Sequence, residues 1–91
     1  MIDVTDNAAR NRYELEVDGQ TAYARYRKES GVLFIDYVEA PPALRGTGAA
    51  GRLMDGMMQQ ARAEGLKVTP ICGYAALWLR RHPDYSDMMA G

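Results

Sequence analysis

Between an apolar run and a long amphipathic stretch lies Leu44-Arg45-Gly46-Thr47-Gly48-Ala49-Ala50-Gly51. Closely spaced glycines let a backbone approach a ligand with no Cβ in the way. A helix that follows points its unpaired N–H groups, and the positive end of its dipole, back into the turn. Together these hold a phosphate or pyrophosphate. A P-loop is excluded, because it needs Gly-Lys-Ser/Thr and Gly48 is followed by Ala49-Ala50. A dinucleotide fingerprint is satisfied to the letter by Gly46-Thr47-Gly48-Ala49-Ala50-Gly51. It also requires an acid on the next strand, about 20 residues on, and Lys67-Val68-Thr69-Pro70-Ile71 offers none.

The elements that must position this turn are legible around it. Arg12 to Val17 alternates Tyr13, Leu15 and Val17 with Glu14 and Glu16, a half-buried strand pattern. Asp18-Gly19 is a strong hairpin signal, followed by a strand over Gln20–Arg27 and a second turn at Lys28-Glu29-Ser30-Gly31. Val32 to Val38 is almost continuously apolar, which predicts a central strand buried on both faces. Pro41-Pro42 ends it. A helix is predicted from Thr47 to Glu64, with Ala50, Leu53, Met54, Met57, Met58 and Ala61 on one stripe. Arg52, Asp55, Gln59 and Arg62 fall opposite, Gly56 is placed outward, and Gly65 is a suitable residue just past the end. Leu66–Ile71 reads as a short strand whose Pro70 marks an edge or bulge. Tyr74–Arg81 reads as a short helix burying Leu77 and Trp78 and stopped by Pro83. Three antiparallel strands then lead into a right-handed strand–helix–strand crossover. This puts the phosphate turn at the C-terminal end of the Val32–Val38 strand, where open sheets bind ligands.

Composition narrows the function classes. The 91 residues form one domain with a thin core, and residues 1–11 are expected to be loosely ordered. Net charge is −1 with acids and bases interspersed, against the clustered basic surplus of a nucleic-acid face. A single cysteine forms no internal disulfide. Met1 to Asp6 carries neither a basic segment nor an apolar run of the signal-peptide kind. No apolar stretch approaches the roughly 20 residues of a membrane span. The expectation is a cytoplasmic protein with no membrane or nucleic-acid partner; the oligomeric state is left open.

Arg45-Gly46-Thr47-Gly48-Ala49-Ala50 fits Gln/Arg-x-x-Gly-x-Gly/Ala, which resembles the acyl-CoA signature of the GNAT acetyltransferase superfamily. The ordered set of Glu39, Pro41-Pro42, Leu44-Arg45-Gly46-Thr47-Gly48, Gly65-Leu66-Lys67-Val68, Pro70-Ile71-Cys72-Gly73-Tyr74 and His82-Pro83-Asp84-Tyr85 is similar to its small YjdJ-type group over residues 13–87. That group's His-Thr pair corresponds to Tyr37-Val38 here, so a mechanism through a histidine base at that point does not carry over. The resemblance implies an α+β minimal GNAT fold over residues 1–91. In that fold a mixed antiparallel and parallel sheet carries a central amphipathic helix and a short C-terminal helix.

The same resemblance implies acetyl-CoA as co-substrate and an amine acceptor, such as a protein lysine. Its cofactor-binding residues are Val38, Ala40, Arg45, Gly46, Thr47, Gly48, Ala49 and Ala50, with no metal. Its catalytic candidates are Cys72, Tyr74 and Glu39. Cys72 is either an acetyl carrier or contact for the thioester, or a small buried hydrophobe. Tyr74 is either the proton donor to the departing thiolate or a boundary aromatic with a wet hydroxyl. Glu39 either takes a proton, directly or through water, or is a solvated strand-end charge, as is Asp36. The alternative for the whole chain is a non-catalytic CoA-binding or protein-interaction module. Its support is the Asp18-Gly19 turn, which leaves no room for the helical wall that usually bounds the acceptor site.

Overall fold

The computed structural model describes residues 3–90. Five strands form one mixed sheet in chain order: β1 (Thr5–Asn7), β2 (Arg12–Val17), β3 (Gln20–Glu29), β4 (Val32–Glu39) and β5 (Lys67–Pro70). The first four pair antiparallel, and β4 pairs with β5 in parallel. Helix α1 (Ala49–Ala63) makes the crossover, and α2 (Gly73–Arg80) follows β5. Among the described residues, no helix is long and apolar enough to cross a membrane.

Both hairpins are set by residues that accept positive φ. Asp18 and Gly19 stand at 49° and 77°, and Ser30 and Gly31 at 50° and 78°. This is the two-residue geometry whose twist matches the flanking strands. The second turn is therefore only Ser30-Gly31, and β3 runs on to Glu29, two residues past its expected end.

The start of the chain is more regular than its polar sequence suggested. Of residues 1–11, the first two lie outside the described residues. Thr5–Asn7 forms a strand and Ala8–Arg10 a 3-10 turn. Side chains account for this order. Asp6 accepts hydrogen bonds from Tyr26 at 2.5 Å and Lys28 at 3.2 Å, and Lys28 also reaches Glu64 at 3.1 Å. Asp3 pairs with Arg52 at 2.7 Å, and the Val4 carbonyl accepts from Gln60 at 2.6 Å. Gly56 is buried and lines a cleft with Asp3, Val4 and Leu15 rather than facing outward. Arg52, Gly56 and Gln60 are spaced by four along α1 and share the face that meets the N-terminal segment.

The core lies between one sheet face and the helices. Tyr13, Leu15, Ala22, Ala24, Leu33, Ile35 and Val68 share it with Leu53, Met54, Met57, Met58 and Ala61. The methionine stripe is packing, as its spacing indicated. At the start of α1, Ala49 is buried and Ala50 is only partly so. Helix α2 buries Ala75, Trp78 and Leu79, whereas Leu77 is 39% exposed. Its inward face thus follows i, i+3, i+4 from Ala75.

Among the described residues the other sheet face carries no helix, so β4 is not buried on both sides. Leu33 and Ile35 are fully buried, whereas Phe34 and Asp36 between them and beyond are only partly covered. Arginines lie over aromatics across this face. Arg12 stands 4.6 Å from the Tyr23 ring centroid, Arg25 5.6 Å from that of Tyr37, and Arg27 4.7 Å from that of Phe34. Long planar cations covering rings let an apolar run stand in water.

Candidate functional site

Two irregularities in β4 shape the site. The β3–β4 register passes from Arg25↔Tyr37 to Tyr26↔Ile35, leaving Asp36 as an extra residue. A one-residue bulge reverses the facing of everything after it. Beyond it, Val38 packs against the core side and Tyr37 turns to the open face, 41% exposed. The pairing with β5 stops at Ile35↔Pro70. The Ile35 carbonyl then accepts from both Ile71 and Cys72, at 2.9 and 3.0 Å. Past that point the β4 edge facing away from β3 has no strand beside it, because β5 ends at Pro70 and the chain turns into α2.

The glycine-rich turn stands at the end of β4. A 3-10 turn, Pro42–Leu44, leads into it. Gly46 and Gly48 have φ of 81° and 85°, and Gly48 occupies the N-cap of α1. The helix therefore starts at Ala49, two residues after its expected start at Thr47. The first helical hydrogen bond runs from the Arg52 N–H to the Gly48 carbonyl at 3.0 Å. The Ala49 N–H is taken by the Thr47 hydroxyl at 3.3 Å. The amides of Ala50 and Gly51 precede the first helical bond and have no acceptor within the helix. No acidic residue stands in this first turn, so the positive end of the dipole is uncompensated there.

A cleft of about 280 Å³ opens at this point, lined by Ala40, Leu44, Arg45, Gly46, Gly48, Ala49, Ala50, Gly51 and Tyr74. Six of the eight expected cofactor residues are among them. Val38 and Thr47 are not: Val38 packs toward the core, and the Thr47 hydroxyl braces the turn through the Leu44 carbonyl and the Ala49 amide. Leu44 and Gly51 were absent from the expected set. Gly51 lies three residues from Gly48, the spacing of an exposed first helical turn.

The three catalytic candidates are placed differently. Tyr74, 42% exposed, lines the cleft, and its pKa is raised by burial and then by the nearby Cys72. Cys72 is half-buried against the core at the N-cap of α2, outside the cleft lining. Glu39 is held at both oxygens. Tyr37 donates its hydroxyl to Oε1, and Arg45 reaches Oε2 at 3.3 Å. The same arginine donates Nε–H to the Ala40 carbonyl at 3.0 Å. Its guanidinium thus lies back along the end of β4. The Tyr37 hydroxyl is pushed up in pKa by its bond to the Glu39 carboxylate. Asp36 is engaged by Arg27 at 2.8 Å, which holds its carboxyl below the ordinary range. Among the described residues, no group of three or more His, Cys, Asp or Glu could hold a metal ion.

β4 thus carries a bulge, its parallel neighbour ends beside it, and a glycine turn caps the crossover helix. Against known proteins, the family model described as GCN5-related N-acetyl-transferase matches residues 12–88. The chain belongs to the GCN5-related N-acetyltransferases. None of the curated proteins matches it significantly. Among solved structures it is similar to a GCN5-like protein from Staphylococcus aureus, itself a candidate N-acetyltransferase, determined in solution by NMR. The TM-score is 0.70 at 21% identity, covering 99% of this chain and 89% of that one. At that identity the likeness speaks for the fold. The family match and the fold agree with the minimal α+β architecture expected from the motifs.

Proposed function

We propose that this N-acetyltransferase domain binds acetyl-CoA at the Arg45–Gly51 turn and transfers the acetyl group to an amine. The carrying observation is the cleft of about 280 Å³ over the start of α1, with Gly46, Gly48, Ala50 and Gly51 on its wall. The amides of Ala50 and Gly51 supply free donors and the helix supplies a positive field, a combination suited to a pyrophosphate. In this reading the pantetheine arm follows the unpaired edge of β4 at Val38–Ala40. The thioester then comes to lie where β5 ends beside β4, close to Cys72 and Tyr74.

The cofactor brings an activated acetyl group; the chain positions it and handles protons. In direct transfer the amine nitrogen bonds to the acetyl carbon and the carbon–sulfur bond breaks. Tyr74 gives its hydroxyl proton to the departing sulfur. Glu39, or a water it holds, takes the proton released by the amine. In the covalent variant the Cys72 sulfur bonds to the acetyl carbon as the cofactor's carbon–sulfur bond breaks, the thiol proton passing to the departing cofactor sulfur. The amine nitrogen then bonds to the acetyl carbon, the Cys72 carbon–sulfur bond breaks, and the proton released by the amine returns to the Cys72 sulfur. The work is proposed for the cytoplasm, where a lone cysteine stays reduced.

A second reading is favoured by one specific feature. β2 and β3 are joined by Asp18-Gly19 alone, so among the described residues no helix walls the open sheet face beside the end of β4. Such an exposed site suits either a bulky acceptor such as a protein lysine, or cofactor binding without transfer. Calorimetry with acetyl-CoA and NAD(H), followed by an acetylation assay on a lysine peptide, decides between these. Acetyl-CoA is expected to bind, and NAD(H) is not. Binding of NAD(H) alone overturns the cofactor, and binding of acetyl-CoA with neither hydrolysis nor transfer favours the non-catalytic module.

A further inference from the structure

Arg45 occupies two places at once. Its backbone belongs to the cleft wall, while its guanidinium lies on the Glu39 carboxylate and the Ala40 carbonyl, at 3.3 and 3.0 Å. The arginine side chain is 64% exposed and the carboxylate 31%. A pair this wet is a weak tie. A guanidinium binds a phosphate by parallel, charge-assisted bonds that are stronger than one long contact to a carboxylate. The other oxygen of Glu39 is held independently. Tyr37 donates to it, and the Tyr37 ring lies beside Tyr23, centroids 6.4 Å apart, beneath the Arg25 guanidinium.

We infer that Arg45 is a latch exchanged between two anions. In the unliganded protein it covers Glu39. A cofactor pyrophosphate seated on the Gly46–Gly51 turn draws the guanidinium off, and Glu39 stays oriented by Tyr37 with one oxygen open to an amine. The exchange moves no proton and breaks no covalent bond. It makes the carboxylate available only once the acetyl donor is in place, so a cationic amine finds its anionic partner after the cofactor has bound. Tyr37, at the position where the resembling group carries histidine, is a positioning residue in this scheme. The inference rests on the acetyl-CoA reading given above.

Affinity measured on the full chain separates the two ideas. With acetyl-CoA as the titrant, Glu39→Gln removes the competing charge and is expected to tighten binding by about two- to fivefold, the strength of a partly exposed ion pair. Arg45→Ala weakens binding, and adding Glu39→Gln to Arg45→Ala then changes nothing. Direct repulsion between Glu39 and the phosphates would instead survive in the Arg45→Ala background, and that result refutes the latch. Signals report the exchange itself. Acetyl-CoA should shift the Ala50 and Gly51 amides together with Arg45 Nε–H and the Glu39 carboxyl carbon. Shifts at Ala50 and Gly51 with Arg45 and Glu39 unmoved overturn the latch alone. No shift at any of them overturns the cofactor reading and the latch with it. Tyr37→Phe should leave acetyl-CoA affinity unchanged but lower kcat, and an unchanged kcat removes the positioning role.

Discussion

Alanine at Gly48, compared with alanine at Gly65, separates the proposed phosphate site from the backbone cost of the substitution. Both glycines have strongly positive φ, 85° and 74°, and a Cβ at either meets nothing within 4 Å. Neither substitution creates a clash, so the cost at each is conformational, about 1–2 kcal/mol for a non-glycine residue held in the left-handed region. For a domain of this size, each kcal/mol lowers the melting temperature by about 4–8 °C. Both variants should therefore melt some degrees below the parent, by similar amounts, and remain folded at 25 °C. Valine at Gly48 would add the penalty of a β-branched residue at positive φ, so alanine is the cleaner probe. The two sites flank α1, a helix of 15 residues, and at 1.5 Å per residue lie about 25 Å apart. Only Gly48 lines the cleft. Thermal unfolding and acetyl-CoA calorimetry on the pair should show equal destabilisation, with an affinity loss of at least about tenfold confined to Gly48→Ala, the scale of one displaced hydrogen bond to a charged group. Equal affinities in the two variants would refute the placement of the pyrophosphate on this turn.

Cys72→Ala removes one half-buried sulfur and should cost about 1 kcal/mol or less in stability. If Cys72 carries the acetyl group, the variant loses most turnover, and the parent treated with acetyl-CoA shows an acetylated cysteine by intact mass; parent-like transfer rates in the variant rule out the covalent route. Stability should fall steeply on the alkaline side. Burial pushes Tyr13 up to about 12, as it does Tyr85, which also donates to Asp55. For Lys28, burial would lower the pKa, but bonds to Glu64 and Asp6 outweigh it and hold the ammonium above its ordinary value. Raised groups contribute fully below their unfolded pKa, near 10, and lose that contribution as pH climbs through the folded values. On the acid side Glu14, held low by Arg12, and Asp36, held low by Arg27, contribute above about pH 4 and lose it below. Urea unfolding across pH should give a plateau from about pH 5 to 10 with an alkaline limb that Tyr13→Phe reduces; an alkaline limb unchanged by Tyr13→Phe contradicts the burial argument.

Periodicity carried most of the fold because the strongest signals here are local. Asp18-Gly19 and Ser30-Gly31 set their hairpins through φ alone, and the α1 stripe from Leu53 to Ala61 recurs at helical spacing. The crossover geometry followed from order and handedness. What escaped the sequence depends on contacts distant along the chain. Thr5–Asn7 becomes a strand because Asp6 meets Tyr26 and Lys28, some 20 residues on, and no local pattern announces it. Gly56 looked outward because the segment lying over it, Asp3–Val4, was expected to be loose. Leu77 exchanged places with Leu79 because α2 is docked from Ala75 and Trp78, a phase that eight residues do not fix by themselves. In β4 an apolar run was read as two-sided burial, whereas arginines of β3 cover the aromatic ring on the open side.

The bulge at Asp36 has the largest consequence for function, and it too is invisible in the sequence. Without it, Leu33, Ile35 and Tyr37 would share the buried face, and Val38 would stand outward. With it, Val38 takes the core side against Ala24, and Tyr37 and Glu39 come together on the open face at the end of β4. The same extra residue coincides with the end of pairing to β5, since the ladder closes at Ile35↔Pro70 and the Ile35 carbonyl absorbs the next two amides. Pro70 takes no part in this, because the amides of Lys67 and Ile71 face β4 while the even positions of β5 face the other edge, where Ala90 donates to the Val68 carbonyl. The inserted residue therefore brings an acidic side chain, with its tyrosine and arginine partners, to the opening beside the glycine turn. Deleting Asp36 would set Arg25↔Tyr37 directly after Tyr26↔Ile35, so Val38 stays inward and Tyr37 and Glu39 keep the open face. The expected result is a straightened β4 that retains the Tyr37–Glu39 contact but binds acetyl-CoA more weakly, and unchanged affinity contradicts a role for the bulge in shaping the opening.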